Sequence, residues 1–140
     1  IPMIDVKEKV ENLMREIVID ENDGFIIHPG EFVLANIEEV TGVDSKHVGR
    51  LEGKSSLGRL GLIVHATAGF LDPGNKLRLT LELANVSPLP IKIYPGMKIA
   101  QIAFEELDKE CEKPYGSKGL NSKYMGDTKV KDSQMWKNFK

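Results

Sequence analysis

The chain has 140 residues, with 19 basic and 21 acidic side chains and a formal net charge of −2. Charges this evenly balanced and interspersed give no basic surface for a nucleic-acid or membrane partner. The single cysteine excludes an internal disulfide, no apolar run approaches the roughly 18 residues of a membrane span, and no secretory signal is visible. We therefore expect one soluble, cytoplasmic domain over residues 1–140.

The first segment carries a helical pattern. Asp5 stands as an N-cap with Glu8 three residues later, and apolar residues follow at helical spacing. They are Val6, Val10, Leu13, Met14 and Ile17. The pattern predicts one short amphipathic helix whose apolar stripe packs against the rest of the domain.

From Ile17 the sequence changes to short β-rich runs separated by Gly- and Pro-containing turns, a pattern typical of a mostly β barrel or sandwich. The runs predict strands over 24–27, 31–39, 47–52, 63–68, 77–85, 91–94 and 98–105. Residues 55–60 are predicted to form a helical turn. Residues 113–140 are rich in Gly, Lys, Ser and Asp, which predicts a partly mobile tail.

Residues 53–82 concentrate the chemistry-bearing side chains. Lys54, Ser55, Ser56 and Arg59 place two cations and two hydroxyls beside glycines, an arrangement that suits a phosphate. The alternative is that the serines cap a helical turn and that Arg59 is a solvated charge.

The strand after the Asp72-Pro73-Gly74 turn alternates leucines with polar residues. This period of two places Thr80 and Glu82 on the face opposite the leucines. A glutamate in such a position is usually only solvated, so the pattern alone does not make Glu82 catalytic.

Several motifs in register resemble the dCTP deaminase family of the dCTP deaminase/dUTPase superfamily. They are the runs GRLEGKSSLGRLGL at 49–62, HATAGFLDPG at 65–74, TLE at 80–82, YPGMKIAQ at 94–101, PYG at 114–116 and KY at 123–124. The resemblance extends from about Phe25 to Tyr124. It implies a dUTPase-like distorted β-barrel or jelly roll with one or two short helices, forming a homotrimer with active sites between subunits.

The resemblance also implies roles for individual residues. Glu82 would be the general acid/base of a zinc-independent deamination; one cysteine and three scattered histidines cannot form the zinc site of other nucleobase deaminases. The implied substrate-binding residues are Lys54, Ser55, Ser56, Leu57, Gly58 and Arg59 for the triphosphate, Asp72 for the sugar, Thr80 and Leu81 for the base, and Gln101, Tyr115 and Lys123 to complete the pocket. Magnesium would travel on the phosphates. Without the family, Tyr115 would be interpreted as a packing residue and Lys123 as a solvated charge.

Two features point to a particular activity within the superfamily. Plain dUTPases carry an aliphatic residue at the position of Glu82, which favours deamination here. The pair Ala68-Gly69 resembles the bifunctional members that convert dCTP to dUMP, whereas members that release dUTP tend to carry a bulkier residue at the Gly69 position. The alternatives are a deaminase releasing dUTP, a dUTP diphosphatase, and a weakly active nucleotide-binding relative.

Four positions depart from the family pattern. Asn75 and Leu77 stand where the family usually has an aromatic residue and a glycine, in the region that shapes the sugar pocket. Asp127 and Gln134 stand where it has a glutamine and an arginine near the phosphates. The changes at Asp127 and Gln134 predict weaker triphosphate capture by the tail, because a cation is lost and an anion gained. The family also usually begins with several dozen further residues, which we expect this sequence to lack; their absence would affect turnover more than fold.

Overall fold

The computed structural model describes residues 3–66, 69–118, 120, 123–126 and 129–139. Their secondary structure consists of short strands, one short α-helix and one 3₁₀ helix. The elements are β1 (Phe25–Ile27), β2 (Phe32–Gly42), β3 (His47–Gly53), α1 (Ser55–Gly58), β4 (Leu62–Ile63), β5 (Phe70–Leu71), β6 (Lys76–Asn85), β7 (Ile91–Ile93), β8 (Ala100–Glu106) and the 3₁₀ helix Met135–Phe139. No helix in this part of the chain is long and apolar enough to cross a membrane.

The strands form three small antiparallel sheets. Their orders are β1-β7, β2-β6-β4 and β5-β3-β8. The mostly β prediction is therefore confirmed, whereas the described strands do not close into one barrel.

Strand β6 shows why the fold takes this form. Its leucines at 77, 79, 81 and 83 are all at most 7% exposed, and the residues between them, at 78, 80 and 82, are half-buried. Lys76, which begins the strand, is exposed. A strand with period-two alternation must turn one face to the core. Here that face joins the buried residues Ile27, Val43, Leu51, Leu62, Val64, Leu71 and Ile93.

The predicted N-terminal helix is wrong. Residues 3–24 contain no helix, and Leu13, Met14 and Ile17 are 43%, 42% and 52% exposed. A short helix is marginal in water unless tertiary packing covers its apolar face. Within the described residues, packing does not cover Leu13, Met14 and Ile17, so the helical spacing does not produce a helix.

Most other predicted elements are confirmed with shifted ends. The 63–68 strand is reduced to Leu62–Ile63, and Thr67 and Ala68 lie outside the described residues. Strand β5 was not predicted, because two residues are too few to show a period. Strand β2 runs on to Gly42 through a register shift between Asn36 and Val40. The mobility of the tail stays a prediction.

Asn85 holds the end of β6 to its surroundings. This residue is 0% exposed. Its Nδ2 donates to the carbonyls of Ile27 and Leu89, both at 2.8 Å, and its Oδ1 accepts from the Ser87 amide at 2.9 Å. One amide group therefore satisfies three backbone groups from β1 and from the loop after β6.

We expect Asn85→Ala to lower the free energy of unfolding by about 2–4 kcal/mol, because the buried Ile27 carbonyl and two part-buried backbone groups each lose a hydrogen bond and the buried side chain leaves a space. Urea denaturation followed by circular dichroism measures the change. The matched control is Asn22→Ala, since the exposed Asn22 side chain forms no hydrogen bond with the described residues; its effect should stay within about 0.5 kcal/mol. Equal effects for the two variants would contradict this role of Asn85.

Candidate active site

Glu82 is fixed against the segment that follows β4. Its backbone amide donates to the Val64 carbonyl at 3.0 Å, and its Oε1 accepts from the Ala66 amide at 2.9 Å. The first bond lies one residue out of register with the β4–β6 ladder, which pairs Leu62 with Asn85 and Ile63 with Ala84, and the second is a side-chain bond. The carboxylate is therefore held in a defined orientation on the half-buried face of β6.

Thr80 and Leu81 lie beside Glu82 but on different faces. Thr80 shares the half-buried face and stands opposite Asn36 of β2. Leu81 is only 1% exposed and belongs to the core. Of the two residues implied to flank a base, only Thr80 therefore offers its side chain; Leu81 offers backbone groups alone.

The residues predicted to bind phosphate, 54–59, contain helix α1. Its N-cap is Lys54, which makes no side-chain cap bond, and the amides of Leu57 and Gly58 donate to the Lys54 carbonyl at 3.0 and 2.9 Å. Ser55 and Ser56 are exposed, and their hydroxyls bond to no described residue. The helical turn is thus confirmed, but the serines do not cap it, and the Leu57 and Gly58 amides are already engaged.

Gln101 lies next to this segment. It pairs with Glu52 across the β3–β8 ladder, and its Nε2 donates to the Gly53 carbonyl at 3.0 Å. Arg59 is exposed at the end of α1. The cations and hydroxyls of 54–59 and the amide of Gln101 thus form one polar group, which we call the phosphate segment.

Asp72, Tyr115 and Lys123 come together in a second place. The turn after β5 closes through the bond from the Asn75 amide to the Asp72 carbonyl at 3.0 Å, with Gly74 at φ +86°. A cavity of about 560 Å³ lies beside it. Its lining residues are Asp72, Pro73, Cys111, Lys113, Tyr115, Leu120, Lys123 and Tyr124. Three of the predicted site residues therefore share one cavity.

Backbone and tyrosine hydroxyl groups fasten the tail beside this cavity. The Tyr115 amide donates to the Pro73 carbonyl at 2.6 Å, and the Tyr115 hydroxyl accepts from the Tyr124 amide at 3.1 Å. The Tyr124 hydroxyl accepts in turn from the Gln134 amide at 3.2 Å. Tyr124 and Lys113 were missed as site residues by the sequence analysis; Tyr124 stands in a matched motif, whereas nothing in the sequence singles out Lys113.

Three of the departures from the family pattern have visible structural settings. Leu77 is a core residue at 7% exposure. Asn75 is 8% exposed, and its Oδ1 has no hydrogen-bond partner. The Gln134 Nε2 donates to Asp132 Oδ1 at 3.2 Å, within its own turn. Asp127 lies outside the described residues.

Gly69 occupies a place where no side chain fits. A Cβ there would lie 2.9 Å from the Leu51 carbonyl oxygen and 3.2 Å from Cε1 of His65. The Leu51 amide donates to the Gly69 carbonyl at 2.5 Å, and the buried Nδ1 of His65 has no hydrogen-bond partner among the described residues. Ala68, the other half of the predicted pair, lies outside the described residues.

The Asp44 carboxyl, which lies outside the predicted site, has a shifted pKa. The hydrogen bond from His47 to Asp44, at 2.6 Å, holds the pKa of the Asp44 carboxyl below its ordinary value, and the Lys46 amide adds to this. The Asp44 carbonyl accepts from the Gly74 amide at 3.3 Å. The pair therefore supports the turn that carries Asp72.

The predicted residues thus fall into three groups within one chain: the phosphate segment, Glu82 with Thr80, and the cavity at Asp72. The lining of the cavity at Asp72 contains no residue of the phosphate segment, and no backbone hydrogen bond among the described residues joins the two. Nor does this part of the chain contain a cluster of three or more histidine, cysteine, aspartate or glutamate side chains able to hold a metal ion.

Known proteins resemble this chain in sequence and in fold. The relative from Corynebacterium jeikeium (strain K411), named dCTP deaminase, dUMP-forming, is 49% identical over 136 residues, or 97% of this chain and 72% of the relative. The protein of the same name from Leifsonia xyli subsp. xyli is 49% identical over 138 residues, or 99% of this chain and 69% of the relative. The native EIAV dUTPase structure superposes with a TM-score of 0.53 at 21% identity, covering 69% of this chain and 78% of that one, and shows a shared fold.

The family model described as dCTP deaminase-like matches residues 2–107. This match confirms the resemblance drawn from the sequence motifs. The chain belongs to the dCTP deaminase-like family.

Proposed function

We propose that this protein converts dCTP to dUMP and pyrophosphate, by hydrolytic deamination followed by cleavage of the triphosphate. The observation that carries the proposal is Glu82, a carboxylate oriented by the Ala66 amide and placed on the same strand face as Thr80. The names of the relatives support the dUMP-forming activity.

Deamination needs one group that first takes and then gives a proton. Water attacks C4 of the cytosine ring while Glu82 accepts one of its protons. Glu82 then passes that proton to the departing amino group, which leaves as ammonia, so the net change is dCTP plus water to dUTP plus ammonia. The bond to Ala66 fixes the carboxylate plane and so directs the proton transfer. No zinc takes part in this route.

Cleavage of the triphosphate needs stabilisation of developing negative charge. A second water displaces pyrophosphate from the α-phosphorus, which leaves dUMP. Lys54, Ser55, Ser56 and Arg59 supply two cations and two hydroxyl donors for the phosphate oxygens. Magnesium bound to the triphosphate would neutralise part of its charge, and we propose that it enters with the substrate.

We further propose that the active site forms between subunits of a homotrimer, with each subunit folded as a dUTPase-like distorted barrel or jelly roll. The separation of the predicted residues into three groups supports this arrangement. One nucleotide contacts a base-binding, a sugar-binding and a phosphate-binding group at once, and symmetric assembly brings groups from different chains together.

A weakly active nucleotide-binding relative is the second candidate. Two observations favour it: the buried, unpaired Oδ1 of Asn75 near the sugar turn, and the Gln134 side chain turned to Asp132 instead of outward. Binding of dCTP without any turnover would support this second candidate.

We expect the unaltered protein with dCTP and magnesium to produce dUMP and pyrophosphate without a dUTP phase, and Glu82→Gln to lose about 100- to 10,000-fold in rate. The substitution keeps size and hydrogen bonding but removes the proton carrier, whose contribution is about 10²–10⁴-fold. Chromatography of dCTP, dUTP and dUMP against time measures both rates.

The control for Glu82→Gln is its affinity for dCTP, measured by isothermal titration calorimetry, which should change less than about threefold because the binding groups remain. Deamination at an unchanged rate in Glu82→Gln would rule out the proposed mechanism. Release of dUTP alone from the unaltered protein would make it a simple deaminase.

The second prediction concerns the assembly. We expect Glu82→Gln and Arg59→Ala each to be inactive alone, but to recover activity when they are co-expressed as mixed oligomers. If each site takes Glu82 from one chain and Arg59 from its neighbour, about one quarter of the sites in random mixtures carry both intact residues. Activity of the purified mixed oligomer measures the recovery. No recovery in mixtures of verified composition would place both residues on one chain.

The third prediction concerns Gly69. We expect Gly69→His to slow triphosphate cleavage more than deamination, so that dUTP accumulates before dUMP. Superfamily members that release dUTP tend to carry a bulkier residue at this position, and any Cβ here must displace the Leu51 carbonyl or the His65 ring. The ratio of dUTP to dUMP during the time course is the readout. Gly42→Ala is the control, because a Cβ there meets atoms no closer than 3.7 Å. An unchanged product ratio in Gly69→His would remove Gly69 from the determinants of bifunctionality.

A further inference from the structure

Arg78 shares a strand face with the two residues assigned to the base. In the burial pattern of β6, positions 78, 80 and 82 are half-buried while their neighbours are buried. Arg78 stands opposite Val40, Thr80 opposite Asn36 and Glu82 opposite Leu34 in the β2–β6 ladder. The three side chains therefore form one row, which we call the polar row of β6.

Among the described residues, no acceptor lies within hydrogen-bond distance of the buried Nε of Arg78. Its Nε is shielded from solvent and unpartnered, and Arg78 forms no ion pair within the described residues. Arg50, by contrast, pairs with Glu105 at 3.3 Å on the β3–β8 sheet. A shielded donor of a charged group without an acceptor is costly, so an acceptor supplied from outside the chain would stabilise this position.

The spacing along β6 places Arg78 at a defined point of a bound nucleotide. At about 3.3 Å per residue, the Arg78 Cα lies about 7 Å from that of Thr80 and about 13 Å from that of Glu82. The same end of β6 follows directly on the turn that carries Asp72. A nucleotide with its C4 at Glu82 and its sugar towards Asp72 would run along the polar row and bring its first phosphate within reach of Arg78.

We propose that Arg78 is a substrate-binding residue that donates to an anionic oxygen of the nucleotide's α-phosphate. This inference rests on the proposed function and deepens it. Guanidinium groups match phosphate oxygens in geometry and charge. The α-phosphate is common to dCTP and dUTP, so Arg78 holds the substrate and the deaminated intermediate equally and retains dUTP between the two steps.

The test compares Arg78→Ala, Arg78→Lys and the control Arg50→Ala in steady-state kinetics with dCTP and, separately, with dUTP. We expect Arg78→Ala to raise KM by about 10- to 100-fold for both nucleotides, the range for a lost hydrogen bond to a charged group. The kcat value should change less than about threefold, because the contact is present before and during the reaction. Arg78→Lys should keep part of the affinity, and Arg50→Ala should match the unaltered protein.

Three results would overturn the inference. An unchanged KM in Arg78→Ala, with the unaltered protein active, would leave the proposed function standing and remove Arg78 from substrate binding. A loss of kcat together with dissociation in sedimentation velocity would make Arg78 an interface residue. Absence of both turnover and calorimetric binding of dCTP and dUTP by the unaltered protein would refute the proposed function and, with it, this role. Circular dichroism and thermal unfolding establish that each variant is folded.

Discussion

The alternation of strand β6 is the constraint on which the rest of the structure depends. Because successive side chains point to opposite faces, the same ten residues supply four core leucines and the polar row with Glu82. The leucine face contributes of the order of 2 kcal/mol for each fully buried side chain. This burial fixes the register of β6 against β2, and the register fixes the direction in which the Glu82 carboxylate points. A slip by one residue would bury Glu82 and expose the leucines.

The local structure around Glu82 shows how a regular strand becomes a site. The β4–β6 ladder pairs Leu62 with Asn85 and Ile63 with Ala84, the Glu82 amide then bonds to the Val64 carbonyl one residue out of this register, and the Glu82 side chain accepts from the Ala66 amide. The segment after Ile63 thus departs from the regular ladder where the carboxylate binds a backbone amide. On the other side, Gly69 lets the chain return against Leu51 of β3 without a side chain in the way. The loop between the two sheets is therefore anchored at both ends by contacts that the candidate site itself provides.

Elements with strong local periodicity were predictable from the sequence, and those decided by tertiary contacts were not. Period-two alternation and flanking turn residues predicted β6, and the motifs at 49–62 and 65–82 carried the family. The helix predicted from the N-terminal spacing is absent, because no surface among the described residues covers the apolar side chains of Leu13, Met14 and Ile17. The two-residue β5 exists only because Gly49 and Arg50 of β3 pair with it. The engagement of the Leu57 and Gly58 amides and the core position of the Leu81 side chain also depend on packing, which no motif reveals. The buried Asn85 is the same kind of case, since its three partners are distant in sequence or lie in irregular loops.

The environment of the polar row explains why a second chain would complete the site rather than merely adjoin it. A half-buried face already lowers the local dielectric, so a charge brought opposite it interacts more strongly than at an open surface. The phosphate segment, in contrast, presents exposed serines and an exposed arginine on a one-turn helix. In the proposed arrangement the two surfaces complement each other: the polar row carries Glu82, Thr80 and one cation, Arg78, whereas the phosphate segment carries the cations Lys54 and Arg59. Docking one against the other would exclude water from the cytosine ring and strengthen the contacts to the phosphates in a single step. The division of the residues within one chain therefore supports the proposal that the site forms at a subunit boundary.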